Sequence, residues 1–167
     1  MSSPTLPTRT SYLLLAGAIL LLDQASKWLV GHSLALGQTR RVIPGLFNLT
    51  HLQNRGAAFG LLADFASPLV LVFLIAFSAA VLVLLGNWLW RGPGSRWAGW
   101  GLALILGGAL GNLFDRLRTG RVVDFLDFHL GAYHWPAFNL ADTTIVVGAA
   151  VLLAELLRSR HRVPGED

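Results

Sequence analysis

Four apolar runs, each long enough to cross a bilayer, leave this chain few ways to fold. They fall at about residues 12–30, 68–90, 97–117 and 138–157. About 20 helical residues cross a hydrocarbon core of about 30 Å. Within lipid, only helices and closed barrels satisfy every backbone polar group. The 167 residues are 54% hydrophobic and 13% charged, with mean hydropathy +0.58, against about 25% charge in a typical soluble domain. So little chain lies outside the runs that one compact membrane bundle is expected, over residues 1–167, with no separate soluble domain. The first run resembles the core of a signal peptide. It is followed by Asp23-Gln24-Ala25-Ser26-Lys27 and more apolar residues, where a cleaved signal would carry small residues, so it reads as an uncleaved anchor.

Composition removes several chemistries. Cysteine is absent, which excludes disulfides, thiolate metal sites and cysteine nucleophiles. His32, His51, His129, His134 and His161 show no ligand spacing, so no metal and no cofactor are expected. Ser26 and Ser67 lack a visible base partner. The net charge of +4 comes from scattered arginines without an aromatic-basic module, which argues for lipid headgroups and against nucleic acid. Trp88, Trp90, Trp97, Trp100 and Trp135 lie near span ends and read as an aromatic belt.

Four spans place both termini on one side. Counting basic residues does not decide which side: six (Arg9, Arg91, Arg96, Arg158, Arg160, Arg162) face seven (Lys27, Arg40, Arg41, Arg55, Arg116, Arg118, Arg121). The dense cluster at Arg158, Arg160 and Arg162 favours cytoplasmic termini. Residues 31–67 and 118–137 then form two segments on the opposite, periplasmic face. Alternation at Phe47, Leu49 and His51 suits short strands at the membrane surface. The second segment reads as a polar, aromatic loop to about Ala137.

Under this topology every polar cluster converges on one face: the end of span one, the 31–67 segment, the end of span three, the loop after it, and the start of span four. Within that zone Asp124 and Asp142 lie 18 residues apart, in Val123-Asp124-Phe125 and Phe138-Asn139-Leu140-Ala141-Asp142. Ionisable side chains at membrane depth are costly and usually functional. Two carboxyls close enough to share a proton titrate as a unit. The ionised one takes a proton from water while the neutral one polarises an amide carbonyl. These residues therefore predict an intramembrane aspartic peptidase, although either acid alone could be a helix cap, Asp142 especially.

The surrounding residues suggest support. Asn139 shares a helix face with Asp142 and suits either orientation of a carboxylate or hydrogen bonding between spans. Gly108, Asn112 and Arg116 form one stripe, where Gly107, Gly108 and Gly111 permit close helix packing. Arg116 could pair with Asp115, snorkel, or hold a phosphate or carbonyl. Asp23 and Lys27, four apart, neutralise each other in a structural role. Asn54-Arg55-Gly56-Ala57-Ala58-Phe59-Gly60 offers a polar hook beside small residues, or a tight turn. Asp64, Asp127 and Glu155 read as solvated or interfacial. The rival class is an ion- or proton-coupled transporter, which would place its acids near mid-bilayer.

Five stretches in this order resemble the lipoprotein signal peptidase (signal peptidase II) family of the bacterial inner membrane. They are Asp23-Gln24-Ala25-Ser26-Lys27, Asn54 to Gly60, Gly107 to Arg116, Val122-Val123-Asp124-Phe125, and Phe138 to Asp142. The resemblance implies an all-α membrane protein of four transmembrane helices with a small periplasmic β-cradle and a short interfacial helix. It implies a catalytic dyad of Asp124 and Asp142. Substrate contact and support would come from Asp23, Lys27, Asn54, Gly56, Gly108, Asn112, Arg116, Asn139 and Ala141. The implied substrate is a prolipoprotein bearing a diacylglyceryl cysteine, cut just before that cysteine, with globomycin-type compounds as inhibitors.

Overall fold

A computed structural model describes residues 8–56 and 67–160. No short interfacial helix is found among the described residues; residues 57–60 of the glycine-containing motif and Asp64 lie outside them. Four long helices carry the fold: α1 (Arg9–Ser33), α2 (Pro68–Arg91), α3 (Arg96–Thr119) and α4 (Leu140–Arg160). All four are long and apolar enough to cross a membrane. Their bounds extend the expected spans by a few residues, except that α4 starts two residues later than anticipated.

Capping residues set several of these limits. Ser67 accepts the Leu69 N–H at 3.2 Å with Pro68 in the first helical position, and Ser95 accepts the Ala98 N–H at 3.1 Å. Gly120, at φ +72°, ends α3 with a left-handed residue and turns the chain into the sheet.

α3 is the hub. Over its most apolar stretch 61% of residues are buried, against 6% in α2, whose mean hydropathy of 3.0 is the highest of the four. That inversion is what lipid demands: the greasiest helix faces hydrocarbon, and the one poorest in bulk sits inside. Small residues let α3 meet its neighbours. A Cβ on Gly107 would lie 2.8 Å from the Ala16 carbonyl oxygen, and one on Gly101 3.0 Å from that of Gly148. At Gly108 an added Cβ would collide with the Ala141 carbonyl oxygen, so the expected packing role of that glycine holds at the α3–α4 contact. Tyr12, Ala16, Leu89, Leu102, Ala103 and Leu106 form the core beneath. Trp100 belongs to that core rather than to the aromatic belt: it packs edge-on against Tyr12 with ring centroids 4.8 Å apart. Trp88, Trp90, Trp97 and Trp135 stay exposed.

One end of the bundle is covered by an antiparallel sheet ordered β1 (Thr39–Ile43), β2 (Phe47–Asn54), β3 (Val122–Leu130), β4 (Tyr133–His134). β2 realises the strand expected from alternation. β3 does not match its reading as a loop. Its polar residues pair within the protein: Asp127 accepts from Asn48 at 2.8 Å and contacts His134 at 2.8 Å. Asp127 is thus buried rather than solvated, and those bonds, opposing the upward push of burial, hold its carboxyl below the usual range.

Candidate active site

The site forms where β3, the last turns of α1 and α3 and the first turn of α4 meet under the sheet. The sequence around residue 139 explains its sharpest feature. Asn139 caps α4, its Oδ1 accepting the Asp142 N–H at 2.9 Å, while the Asn139 N–H donates to Asp142 Oδ2 at 3.3 Å. This is a reciprocal capping box with aspartate as its acid. The helix-cap reading of Asp142 and the functional one are therefore one geometry, because the cap aims the carboxyl out of the helix end and into the site. It also explains why α4 begins at Leu140: Phe138 is still extended, its N–H bonded to the Leu126 carbonyl at 3.1 Å.

Asn139 also reaches the second acid. Its Nδ2 donates to Asp124 Oδ1 at 2.8 Å and to the Val123 carbonyl at 3.2 Å. One fully buried asparagine thus touches both carboxyls. Asp124 and Asp142 are themselves 4% and 8% exposed, enough shelter to strengthen every charge interaction between them. Asp124 accepts a further bond at Oδ2 from Asn54 at 3.0 Å. Burial, and then the negative charge of Asp142, push the Asp124 carboxyl up to about 7, against the opposing bonds from Asn54 and Asn139.

Asp142 is held from the other side by Asn112, whose Nδ2 donates to Oδ1 at 2.7 Å. The Asn112 amide is oriented in turn, since its Oδ1 accepts from Lys27 Nζ at 3.1 Å and from Asn139 Nδ2 at 3.3 Å. Lys27 spends its remaining donors on Asp23 and Asp115, each at 2.8 Å. Asp23, wholly buried, uses its other oxygen to accept the Ala141 N–H at 3.0 Å and so ties α1 to the start of α4. Gly111 admits that carboxyl: a Cβ there would lie 2.5 Å from Asp23 Oδ2. Arg116 neither pairs with Asp115 nor snorkels; its Nη2 donates to the Gly56 carbonyl at 3.1 Å. The Gly56 N–H donates to Asn54 Oδ1 at 2.8 Å, which orients the Asn54 amide toward Asp124.

The structure thus brings together all eleven residues singled out from sequence, with Gly108 serving the helix packing beneath. Sequence reasoning passed over Gln24 and undervalued Asp115. Gln24 Nε2 bridges Asp115 Oδ1 at 2.9 Å and Asp23 Oδ2 at 3.2 Å. The available signal was spacing, since Asp115 stands four residues beyond Gly111 and three beyond Asn112 on the same buried side of α3.

Among the described residues, crevices reach the acids from three directions. One, lined by Trp135, Phe138, Thr143, Val146 and Val147, touches Asp142 and is otherwise hydrocarbon. A second runs between α2, α3 and α4 to Asn112, Arg116 and Asp142. The third, under the sheet, is lined by Asn54, Arg55 and Asp124. No cluster of three or more metal-ligating side chains is found among the described residues. Chemically, the arrangement offers two carboxyls in differing environments, open both to an apolar approach and to a polar one.

The profile of the family described as signal peptidase (SPase) II matches residues 15–158. The chain is 44% identical over 148 residues to a protein of Solibacter usitatus named lipoprotein signal peptidase, covering 88% of this chain and 90% of that one. A protein of the same name from Burkholderia thailandensis is 49% identical over 140 residues, covering 84% and 83%. Among solved structures, a bacterial membrane enzyme determined by the in meso method at 2.3 Å superposes with a TM-score of 0.83 at 28% identity, covering 95% of this chain and 94% of that one.

Proposed function

This chain belongs to the signal peptidase II family, which removes signal peptides from lipoproteins, and from that premise we propose that Asp124 and Asp142 are its catalytic pair. The observation that carries the reading is Asn139, which donates to both carboxyls at once and so holds them toward a common point. The protein is a multi-pass membrane peptidase.

In the proposed cycle the pair holds one proton. Asp124 carries it, being the acid pushed up to about 7. Asp142, facing donors from Asn112 and the Asn139 backbone, is the anion. Asp142 takes a proton from water as the water oxygen bonds to the scissile carbonyl carbon, while Asp124 gives its proton to the carbonyl oxygen. The tetrahedral diol then collapses. Asp142 passes its proton to the leaving nitrogen, the C–N bond breaks, and Asp124 recovers a proton from the hydroxyl. Asp23, Lys27, Asn112, Asn139 and Ala141 hold the acids in place, while Asn54, Gly56 and Arg116 form the rim against which substrate lies. Gly108 keeps α3 and α4 close enough for that geometry. No cofactor is required.

The substrate is a prolipoprotein whose cysteine carries diacylglycerol, cut immediately before that cysteine. Its hydrocarbon arrives laterally through lipid, which suits two largely apolar crevices, one along α4 and one between α2, α3 and α4. Globomycin-type compounds are expected to block the same site. The protein lies in the bacterial inner membrane with both termini cytoplasmic and the acids near the periplasmic face. A transporter reading has little support: the acids sit at the sheet-covered end of the bundle, one of them on a strand.

The test is a gel-shift cleavage assay with the full-length protein in detergent, given a diacylglyceryl-modified prolipoprotein and, separately, its unmodified form. Cleavage of the modified form at a rate at least about 10²-fold above the unmodified one is expected, since remote binding energy is used at the reacting centre. Equal cleavage of both would refute the lipid requirement, and cleavage of neither would remove the peptidase assignment of this site.

A further inference from the structure

Of the two acids that hold Lys27, Asp115 is the better placed to act on the reaction. It lies at the end of α3 and is 8% exposed, yet it contacts none of the groups assigned to substrate. Its Oδ1 accepts from Gln24 at 2.9 Å. Its Oδ2 accepts from Lys27 Nζ at 2.8 Å and, more weakly, from the Val123 N–H at 3.4 Å. The two arms of Oδ2 lead to the two acids. Lys27 fixes the Asn112 amide that donates to Asp142, and Val123 precedes Asp124 on β3.

We propose that Asp115 is a positioning residue of the peptidase reaction, which sets Asp142 through Lys27 and Asn112 and sets Asp124 through the start of β3. The inference rests on the catalytic reading of the two acids. Its physical content is twofold. Geometrically, a carboxylate on α3 bonded to both α1 and β3 fixes the strand that carries Asp124 against the helices that carry Asn112 and its lysine. Electrostatically, Lys27 is a buried cation that acts on both acids, as Arg116 does, and two carboxylates, Asp23 and Asp115, attenuate it. The charged groups facing Asp124 are Asp142 on α4, Lys27 on α1, Arg116 on α3 and Arg55, which lines the same crevice, with Asp23 and Asp115 behind Lys27. Neutralising Asp115 leaves Lys27 more strongly positive toward the dyad, which favours the doubly ionised, inactive pair and draws the alkaline limb of activity to lower pH.

The experiment is the pH dependence of kcat and KM for the full-length protein in detergent with diacylglyceryl-modified prolipoprotein, comparing wild type, Asp115→Asn and Asp115→Glu. In Asp115→Asn we expect kcat to fall roughly 10- to 100-fold, as for small displacements of reacting groups. KM should stay within about twofold, because substrate-contacting groups are untouched. The alkaline limb should move to lower pH by several tenths of a unit. Asp115→Glu keeps the charge but shifts the oxygens, so it should keep the wild-type limb with a reduced kcat. A merely structural role would lower the melting temperature and leave kcat per folded molecule and the limb unchanged; that result overturns the inference. Should Asp115→Asn fail to fold, Asp115→Glu decides, and wild-type kcat in that variant overturns it. Wild-type protein with no alkaline limb would instead point to failure of the dyad itself.

Discussion

Replacing either acid by its amide, Asp124→Asn or Asp142→Asn, is expected to reduce turnover at least about 10³-fold, within the range general acid–base groups contribute and with both roles lost at once. Each variant should remain folded. Asparagine keeps the shape of the carboxyl, and the lost charge was a burden on the fold rather than a support, since two buried acids facing each other repel. The arithmetic is specific to this site. A pair holding one proton needs one member to accept and the other to donate, and an amide can neither take up nor release a proton near neutral pH. The two variants should be equally inactive, because the step needs both members. Single-turnover cleavage at saturating enzyme, with circular dichroism as the folding control, checks this. Retention of even a tenth of wild-type activity in a folded variant would remove that residue from the pair.

The largest effect on stability is expected at Lys27→Met. Lys27 is 4% exposed and holds Asp23, Asp115 and Asn112 together. Methionine fills similar volume but leaves two buried carboxylates facing each other without their cation. Removing one partner from a buried charge network costs about 3–5 kcal/mol. The consequence reaches the reaction, because the Asn112 amide loses the shorter of the two bonds that hold its oxygen away from Asp142. Thermal unfolding in detergent should show a clearly lowered midpoint together with loss of activity. A Lys27→Met protein with the wild-type melting point would show that the ion cluster does not hold α1, α3 and the site together.

Much of this was legible in the sequence, for identifiable reasons. Lipid makes apolar length a strong signal, so the spans read correctly to within a few residues. It also makes charge expensive, so Asp23, Lys27, Asp124 and Asp142 stand out against their runs. What stayed hidden were the features that depend on neighbours distant in sequence. In the sequence β3 resembles a loop because Asp124, Asp127 and His129 interrupt any simple alternation; in the fold Asn48, Asn54 and His134 partner two of those side chains, and the strand pairs with β2. In the sequence Asp115 adjoins Arg116, but successive residues on a helix point apart, and its ion-pair partner is Lys27, 88 positions earlier. Trp100 sits at a span end like the belt tryptophans, and only the position of Tyr12 turns it inward. The choice between cap and catalyst for Asp142 has no sequence answer, because the cap geometry itself aims the carboxyl into the proposed site.

The central claim, that Asp124 and Asp142 work by sharing one proton, is tested most directly by the pH dependence of single-turnover cleavage. Asp124 is pushed up to about 7, so the pair holds its proton below that pH and loses it above. Activity should therefore be high in mildly acid solution and fall on an alkaline limb centred near 7. The same shift sets the sign for stability: a carboxyl whose folded-state value is raised favours the folded state most strongly in acid and loses that contribution as pH rises through about 7. A single-turnover rate that stays flat from pH 5 to pH 9, with chemistry shown to be limiting, would contradict the shared proton and with it the assignment of the two aspartates.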